Sequence, residues 1–349
     1  MNRPDLRVRG SAGSTAIWAG MIVLYFVWGS TYIGIRFADE SIPPFLMAGV
    51  RFLVAGGLLL AWEWLSIGRL RRRTGLPADQ LPARPSLREW RDSAIVGGAL
   101  LGGGMGFVAV GEQTVPAGIA AFLVALLPVW VAVLGWLFFH ERLPRMVVVG
   151  VIVGLAGVAI LVGPTGSPGG GPEFDPRGLA ALFLSPIAWG AGSLYSSHRA
   201  VLPRRPLTAT GLQMVCGGAI LLVAAALTGE LAGFDLATVS ARSGLGLAYL
   251  VLVGSLVGYT TYVWLLRVAP LPKVATYAYV NPIVAAILAG LLLGEAIEPR
   301  TALAGAVIVL GVALIVTARS RSNRSNEPQP TELDPQPTEF GPAPGLSPR

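Results

Sequence analysis

Ten apolar runs, each close to twenty residues long, follow one another along the chain at roughly 15–36, 44–66, 93–114, 116–139, 145–163, 178–199, 208–229, 244–267, 272–293 and 300–318. A helix rises about 1.5 Å per residue, so about twenty residues cross the hydrocarbon core of a bilayer. The pattern predicts an all-α polytopic membrane protein with ten transmembrane helices. The third and fourth runs are separated only by Val115-Pro116. Together they are about twice the length of one crossing, so they read as two helices and a tight turn. Gly97-Gly98 and Gly102-Gly103-Gly104 lie inside a run and suit close helix approach. Gly104-Met105-Gly106 follows no strand and precedes no acidic ribose partner, so it is not a dinucleotide loop.

Composition agrees with the pattern. Apolar residues make up 53% of the 349 and charged residues 13%, half the ~25% of a soluble domain. That density cannot coat a water-facing surface, which excludes a soluble enzyme and a disordered chain. The net charge of +7 would suggest nucleic acid in a soluble protein. Here the basic residues sit between the apolar runs. With the N-terminus inside, 21 of the 26 fall in inside segments and four (Arg36, Arg177, Arg242, Arg300) outside. This is the positive-inside pattern, so both termini are expected in the cytoplasm and no nucleic-acid partner is called for. The remaining basic residue, Arg51, lies within a run. The first run is long, holds Trp18, Tyr25 and Trp28, and lacks a small-residue cleavage site, so it reads as an uncleaved span. Residues 1–14 read as a cytoplasmic segment, 164–177 as a Gly/Pro-rich periplasmic linker and 319–349 as a disordered, Pro-rich cytoplasmic tail. The lone Cys216 excludes an intrachain disulfide.

The two halves resemble each other. Pro44 to Gly57 aligns with Pro206 to Ala219 at an offset of 162 residues. Trp28-Gly29 aligns with Trp189-Gly190 at 161, and Val115-Pro116, Pro128 and Glu141 align with Ala269-Pro270, Pro282 and Glu295 at 154. Each half, 15–163 and 178–318, carries five spans. Five is odd, so the second half enters the membrane from the opposite side. Such inverted repeats are the build of many secondary transporters.

The stretches FVWGSTYIGIRFADESIPPFLMAGVRFLVAGGLLL, VPAGIAAFLVALLPVWVAVLGWLFFHERLP and ATYAYVNPIVAAILAGLLLGEAI resemble the EamA transporters of the drug/metabolite transporter superfamily, over both halves. The resemblance implies two inverted five-helix EamA repeats in a bacterial inner membrane and export of drugs or small metabolites. It leaves the substrate open among amino acids, sugars, nucleotide derivatives and drugs. The implied partners are a small-molecule substrate and the lipid bilayer, with monomer and homodimer both open. No cofactor, metal or catalytic residue is called for.

Polar residues inside spans are functional candidates. Arg51 lies roughly 10 Å from the outer end of its helix, and its repeat mate is Gln213. Two roles fit it: binding a substrate carboxylate or phosphate, or pairing with Glu112. Trp28, Thr31 and Tyr32 of the first span are mirrored by Trp189, Ser193 and Tyr195 of the sixth. Both tryptophans fall near the midplane, away from the interfacial belt where Trp collects, and suit a cavity wall or plain packing. Pro128 and Pro282 are expected helix breaks or hinges. Asn281 and Tyr277, one turn apart beside Pro282, form a polar pair for substrate or for freed backbone groups. Tyr259 and Tyr262 share a face of the eighth span. Glu141 and Glu295 end the fourth and ninth spans on opposite sides and suit structural ion pairs or gates, as does Glu112.

The mid-depth stretches hold no Asp, Glu or His, so no proton relay is evident; exchange and facilitated diffusion remain open. A channel is the alternative to a carrier. An intramembrane protease is disfavoured: H-E-x-x-H and G-x-S-x-G are missing, and Ser193 and His198 do not share a helix face.

Overall fold

The structure is a computed structural model, and it describes residues 13–75, 83–162 and 175–325. Most of the amino-terminal segment, the linker and the carboxy-terminal tail therefore lies outside the described residues.

The described residues form ten long helices and no strand: α1 (Ser14–Ala38), α2 (Pro44–Thr74), α3 (Leu87–Glu112), α4 (Ala117–Phe139), α5 (Arg145–Val162), α6 (Pro176–His198), α7 (Pro206–Leu227), α8 (Ala241–Leu266), α9 (Tyr277–Leu293) and α10 (Pro299–Ser325). Nine are long and apolar enough to cross a bilayer, and α9 is a shorter apolar helix preceded by a single turn, Leu271–Val274. Proline opens α2, α6 and α7, where its missing N–H is one that a first turn leaves unpaired anyway.

Three boundaries extend beyond the apolar runs. Helix α2 continues through Arg69 and Arg71 to Arg73 before Gly75 ends it with a left-handed backbone, φ 64°. Arginine is a good helix former, and cations suit a helix C-terminus. Helix α3 starts at Leu87 because Ser86 and Glu89 form a reciprocal capping box. Helix α10 likewise runs past residue 318 to Ser325.

Packing follows the repeat. Helix α2 lies on its mate α7, where a Cβ on Gly56 would come within 2.8 Å of the Gly211 carbonyl oxygen. Helix α5 lies on its mate α10, where a Cβ on Gly311 would come within 2.5 Å of the Gly154 amide nitrogen. Lipid tails are as apolar as Leu, so such close small-residue contact, rather than hydrophobic burial, holds spans together. The repeat also reaches the backbone: α3 and α8 each contain an eight-residue π-helical stretch, Gly98–Met105 and Leu250–Val257. A π-turn rotates the side chains that follow it and frequently marks a functional site.

The helix ends divide into an arginine-rich end, with the α2–α3, α4–α5, α6–α7 and α8–α9 connections, and an arginine-poor end with the remaining ones.

Candidate substrate cavity at the repeat interface

Where the halves meet, a cavity of about 120 Å³ opens among α1, α2, α3, α4, α6, α8 and α9. Eight of the sequence candidates line it: Trp28, Thr31, Tyr32, Arg51, Trp189, Tyr259, Tyr277 and Asn281, together with Pro128 and Pro282.

The tryptophans are set by matching glycines. Trp28 of α1 lies over Gly258 of α8, where a Cβ would stand 2.5 Å from its Nε1. Trp189 of α6 lies over Gly104 of α3, where a Cβ would stand 2.8 Å from its Cε3. Gly104 and Gly258 are themselves repeat mates at the 154-residue offset, so each half seats the other's tryptophan. Trp28 is boxed by Tyr259, Tyr262 and Tyr277, with ring centroids at 5.7, 5.2 and 5.0 Å. Such edge-on and tilted contacts are the favoured aromatic geometry. Tyr262 supports this box from outside the lining.

Around the cavity the repeat mates differ in polarity. Tyr259 and Asn281 in one half correspond to Met105 and Leu127 in the other, and all four line the space. Helices α1, α2, α8 and α9 bring Thr31, Tyr32, Arg51, Tyr259, Tyr277 and Asn281, whereas α3 and α4 bring only apolar side chains and Pro128. The cavity is amphiphilic, with one polar and one apolar wall.

Arg51 is 4% exposed. Its Nε donates to Ser255 Oγ at 3.0 Å, and its guanidinium carbon stands 4.8 Å from the Phe52 ring centroid. Among the described residues no ion pair joins Arg51 to Glu112, and Nη1 and Nη2 donate no hydrogen bond. Asn281 Oδ1 is likewise buried without a hydrogen-bond partner. A guanidinium without a direct ion pair and a buried carbonyl without a donor are both left for a polar solute to satisfy. Pro128 and Pro282 remove the amide that would bond the carbonyls of Val124 and Ala278, and both of those residues line the cavity. The prolines are not equivalent, however. Helix α4 breaks at Ala125-Leu126 just before Pro128, whereas Pro282 lies inside the continuous α9, whose break falls earlier at Ala275-Thr276.

The other candidates stand elsewhere. Ser193 Oγ bonds the Trp189 carbonyl of its own helix at 2.8 Å. Tyr195 lies at the arginine-rich end, donating to Asp92 Oδ1 at 3.1 Å. Asp92, fully buried, also accepts from Arg91 and from the Val201 amide at 2.7 Å. It ties α3, α6 and the α6–α7 connection together, and hydropathy had hidden it at the edge of a run.

The glutamates occupy the ends. Glu295 caps α4: its Oε1 accepts from the Ala117 amide at 2.9 Å and its Oε2 from the Gly118 amide at 3.1 Å. Its mate Glu141 instead reaches His198 Nε2 at 3.3 Å and Arg319 Nη2 at 3.4 Å. In the single turn before α9 the position matching Gly118 is Pro272, which has no amide to donate. Glu230 repeats the capping device on α2, accepting from the Leu46 amide at 2.9 Å. Glu112 is fully buried with neither carboxylate oxygen hydrogen-bonded, and its backbone carbonyl accepts from Arg36 Nη1. Asp39, just past α1, also buries both oxygens without a partner. Burial, with Glu230 nearby and Arg36 opposing, pushes its carboxyl up to about 8.

An all-helical bundle of two inverted repeats around an amphiphilic central cavity defines a membrane transporter. The EamA-like transporter family model matches residues 14–163 and 176–317. The chain is 37% identical over 305 residues to the uncharacterized inner membrane transporter YedA of Escherichia coli K12, covering 87% of this chain and 91% of that one. It is 24% identical over 311 residues to the uncharacterized transporter YvbV of Bacillus subtilis, covering 89% and 94%. It is also 24% identical over 305 residues to a probable amino-acid metabolite efflux pump of Salmonella typhimurium, covering 83% and 90%. A crystal structure sharing 20% identity superposes with a TM-score of 0.54 over 89% of this chain and 99% of its own, which supports the fold. The chain belongs to the EamA-like transporter family and is a transporter rather than an enzyme.

Proposed function

We propose that the chain is a secondary carrier of the inner membrane that exports small amphiphilic solutes bearing a carboxylate, of which apolar amino acids and their derivatives are the simplest, by alternating access. The observation that carries this reading is the pairing, in one amphiphilic cavity, of an Arg51 guanidinium with two unbonded terminal nitrogens and an unpartnered Asn281 Oδ1. A carboxylate on Arg51 and an N–H on Asn281 would satisfy both, and an apolar side chain would lie against Met105, Val108 and Leu127. The efflux-pump relative in Salmonella fits this solute class.

Alternating access rests on the inequality of the ends. The carboxylate of Glu295 holds the arginine-poor end of α4 to α9, while Glu141 holds α4 to α6 and α10 and leaves the first turn of α9 alone. Repeats that share one fold but not one set of gate contacts have two arrangements available, with the exchange between them moving the opening from one face to the other. The arginine bias orients the arginine-rich end and both termini toward the cytoplasm. In this orientation the Glu295 cap is an outer-side contact that the exchange would have to break.

The test is export profiling together with a variant. Cells overexpressing the chain should release an apolar amino acid or related carboxylate, and Arg51→Gln should abolish that release at equal protein level. Wild-type release from Arg51→Gln, or a released solute without a carboxylate or phosphate, would overturn the reading.

A further inference from the structure

At the arginine-rich end, away from the transport cavity, the termini of three helices enclose a second and larger space. This cleft of about 1150 Å³ lies between the end of α2, the start of α3 and the start of α7. Six arginines line it: Arg69, Arg71 and Arg72 from α2, Arg84 from before α3, and Arg204 and Arg205 from before α7.

Arginines at a cytoplasmic helix end ordinarily serve topology and point separately into water. Three features distinguish this group. The side chains converge from three chain segments on one concavity. Among the described residues the lining sets six arginines against two carboxylates: Glu63, which pairs with Arg205 at 3.2 Å, and Glu89, which accepts from the Ser86 amide at 2.7 Å in the capping box. Among the described residues Arg69, Arg71, Arg72, Arg84 and Arg204 form no ion pair. Arg205 Nη1, moreover, is buried without a hydrogen-bond partner.

The remaining lining is apolar and aromatic. Leu60, Leu65, Ile67 and Leu212 line the cleft together with Trp64 and Trp90. Trp64 is 74% exposed. Exposed tryptophans beside arginines mark the depth of lipid headgroups, and a basic pocket between helix ends at that depth recognises anionic headgroups. A soluble anion would gain nothing from apolar lining residues, whereas a phospholipid presents a phosphodiester and a chain together.

We propose that this cleft binds an anionic phospholipid, its phosphodiester among Arg84, Arg204 and Arg205 and its acyl chain along Leu60, Trp64 and Leu65. The site is independent of the solute carried.

The full-length protein, purified in neutral detergent, is incubated with phosphatidylglycerol, cardiolipin or phosphatidylcholine, and retained lipid is read by native mass spectrometry. The wild type should retain the two anionic lipids over phosphatidylcholine. The Arg84→Gln/Arg204→Gln variant should lose that preference by roughly thirtyfold, at about fivefold per arginine near a membrane surface. Arg84→Lys/Arg204→Lys should keep most of it. Both side chains are exposed, so the changes leave folding intact. Arg142→Gln/Arg145→Gln removes the same charge at the same end outside the cleft and should change nothing. Equal retention of phosphatidylcholine, equal effects of the two double Gln variants, or displacement of the lipid by inorganic phosphate at equal concentration would each overturn the proposal.

Discussion

Glu295, at the end of α9, accepts a hydrogen bond from the backbone amide of Ala117 at 2.9 Å, 178 residues away in sequence. With the Gly118 bond it covers the start of α4 and joins the two repeats at the arginine-poor end. Glu295→Ala removes a charged acceptor from two amides and should cost about 2 kcal/mol of stability at that joint. The change should also let the end open. In a Cys216→Ala background, a cysteine at the fully buried Val115 should react faster with a water-soluble maleimide when Glu295→Ala is present. An unchanged labelling rate would show that the contact caps a helix without gating.

The seating of Trp28 on Gly258 predicts a steric effect. Gly258→Ala places a methyl where a Cβ would stand only 2.5 Å from Trp28 Nε1. Either the ring or the helix must move, and overpacking of this kind typically costs 1–3 kcal/mol. Transport should fall while the protein still reaches the membrane. Gly57→Ala, on α2 with open space around it, is the matched control and should be neutral.

Asp39 predicts a pH dependence. A free carboxyl titrates near 3.9, and in the folded chain burial pushes that of Asp39 up to about 8. Between those values the folded state holds a proton that the unfolded state has released. The stability contributed is therefore full below about pH 4 and is lost as pH rises through about 8. The thermal midpoint in detergent should fall between pH 5 and 8 and level off above that, and Asp39→Asn should flatten that fall. A wild-type slope retained in Asp39→Asn would place the titration elsewhere.

The close contact of α5 with α10 predicts a packing lesion. Gly311→Leu sets a side chain against the Gly154 amide and the Gly150 carbonyl, where even a Cβ would come within 2.5 and 2.7 Å. The two helices must separate, and accumulation of intact protein should drop sharply. Gly13→Leu, with nothing within 4 Å, should accumulate as the parent does.

Much of this architecture is legible in the chain. A run of twenty apolar residues has no stable state in a bilayer other than a helix, so the ten helices could be read directly. The offsets made Trp28 and Trp189, and Pro128 and Pro282, repeat mates without saying that the two pairs meet, and all four line one cavity. What escaped depends on rotation about the helix axis. Ser255 sits in an apolar run like any other serine, and only the π-turn of α8 and the packing of α2 aim its hydroxyl at Arg51. Met105 and Val108 look like ordinary core residues until they are paired with Tyr259 and Tyr262 across the repeat. Glu112 is near Arg51 in depth, but its carboxylate makes no ion pair with it, and Arg36 bonds its backbone instead. Ser193 and Tyr195 mirror cavity residues in sequence, yet one satisfies its own helix and the other bonds Asp92.

The central claim is that Arg51 binds the carboxylate of an apolar solute in a carrier. Counterflow in proteoliposomes tests it most directly, with a panel of labelled apolar amino acids outside and the same unlabelled compound inside. The account predicts that internal solute accelerates entry of label for at least one member of the panel, that Arg51→Gln abolishes the acceleration, and that Arg51→Lys restores part of it. Label entry indifferent to internal solute would mark a channel, and acceleration undiminished in Arg51→Gln would remove the arginine from the site.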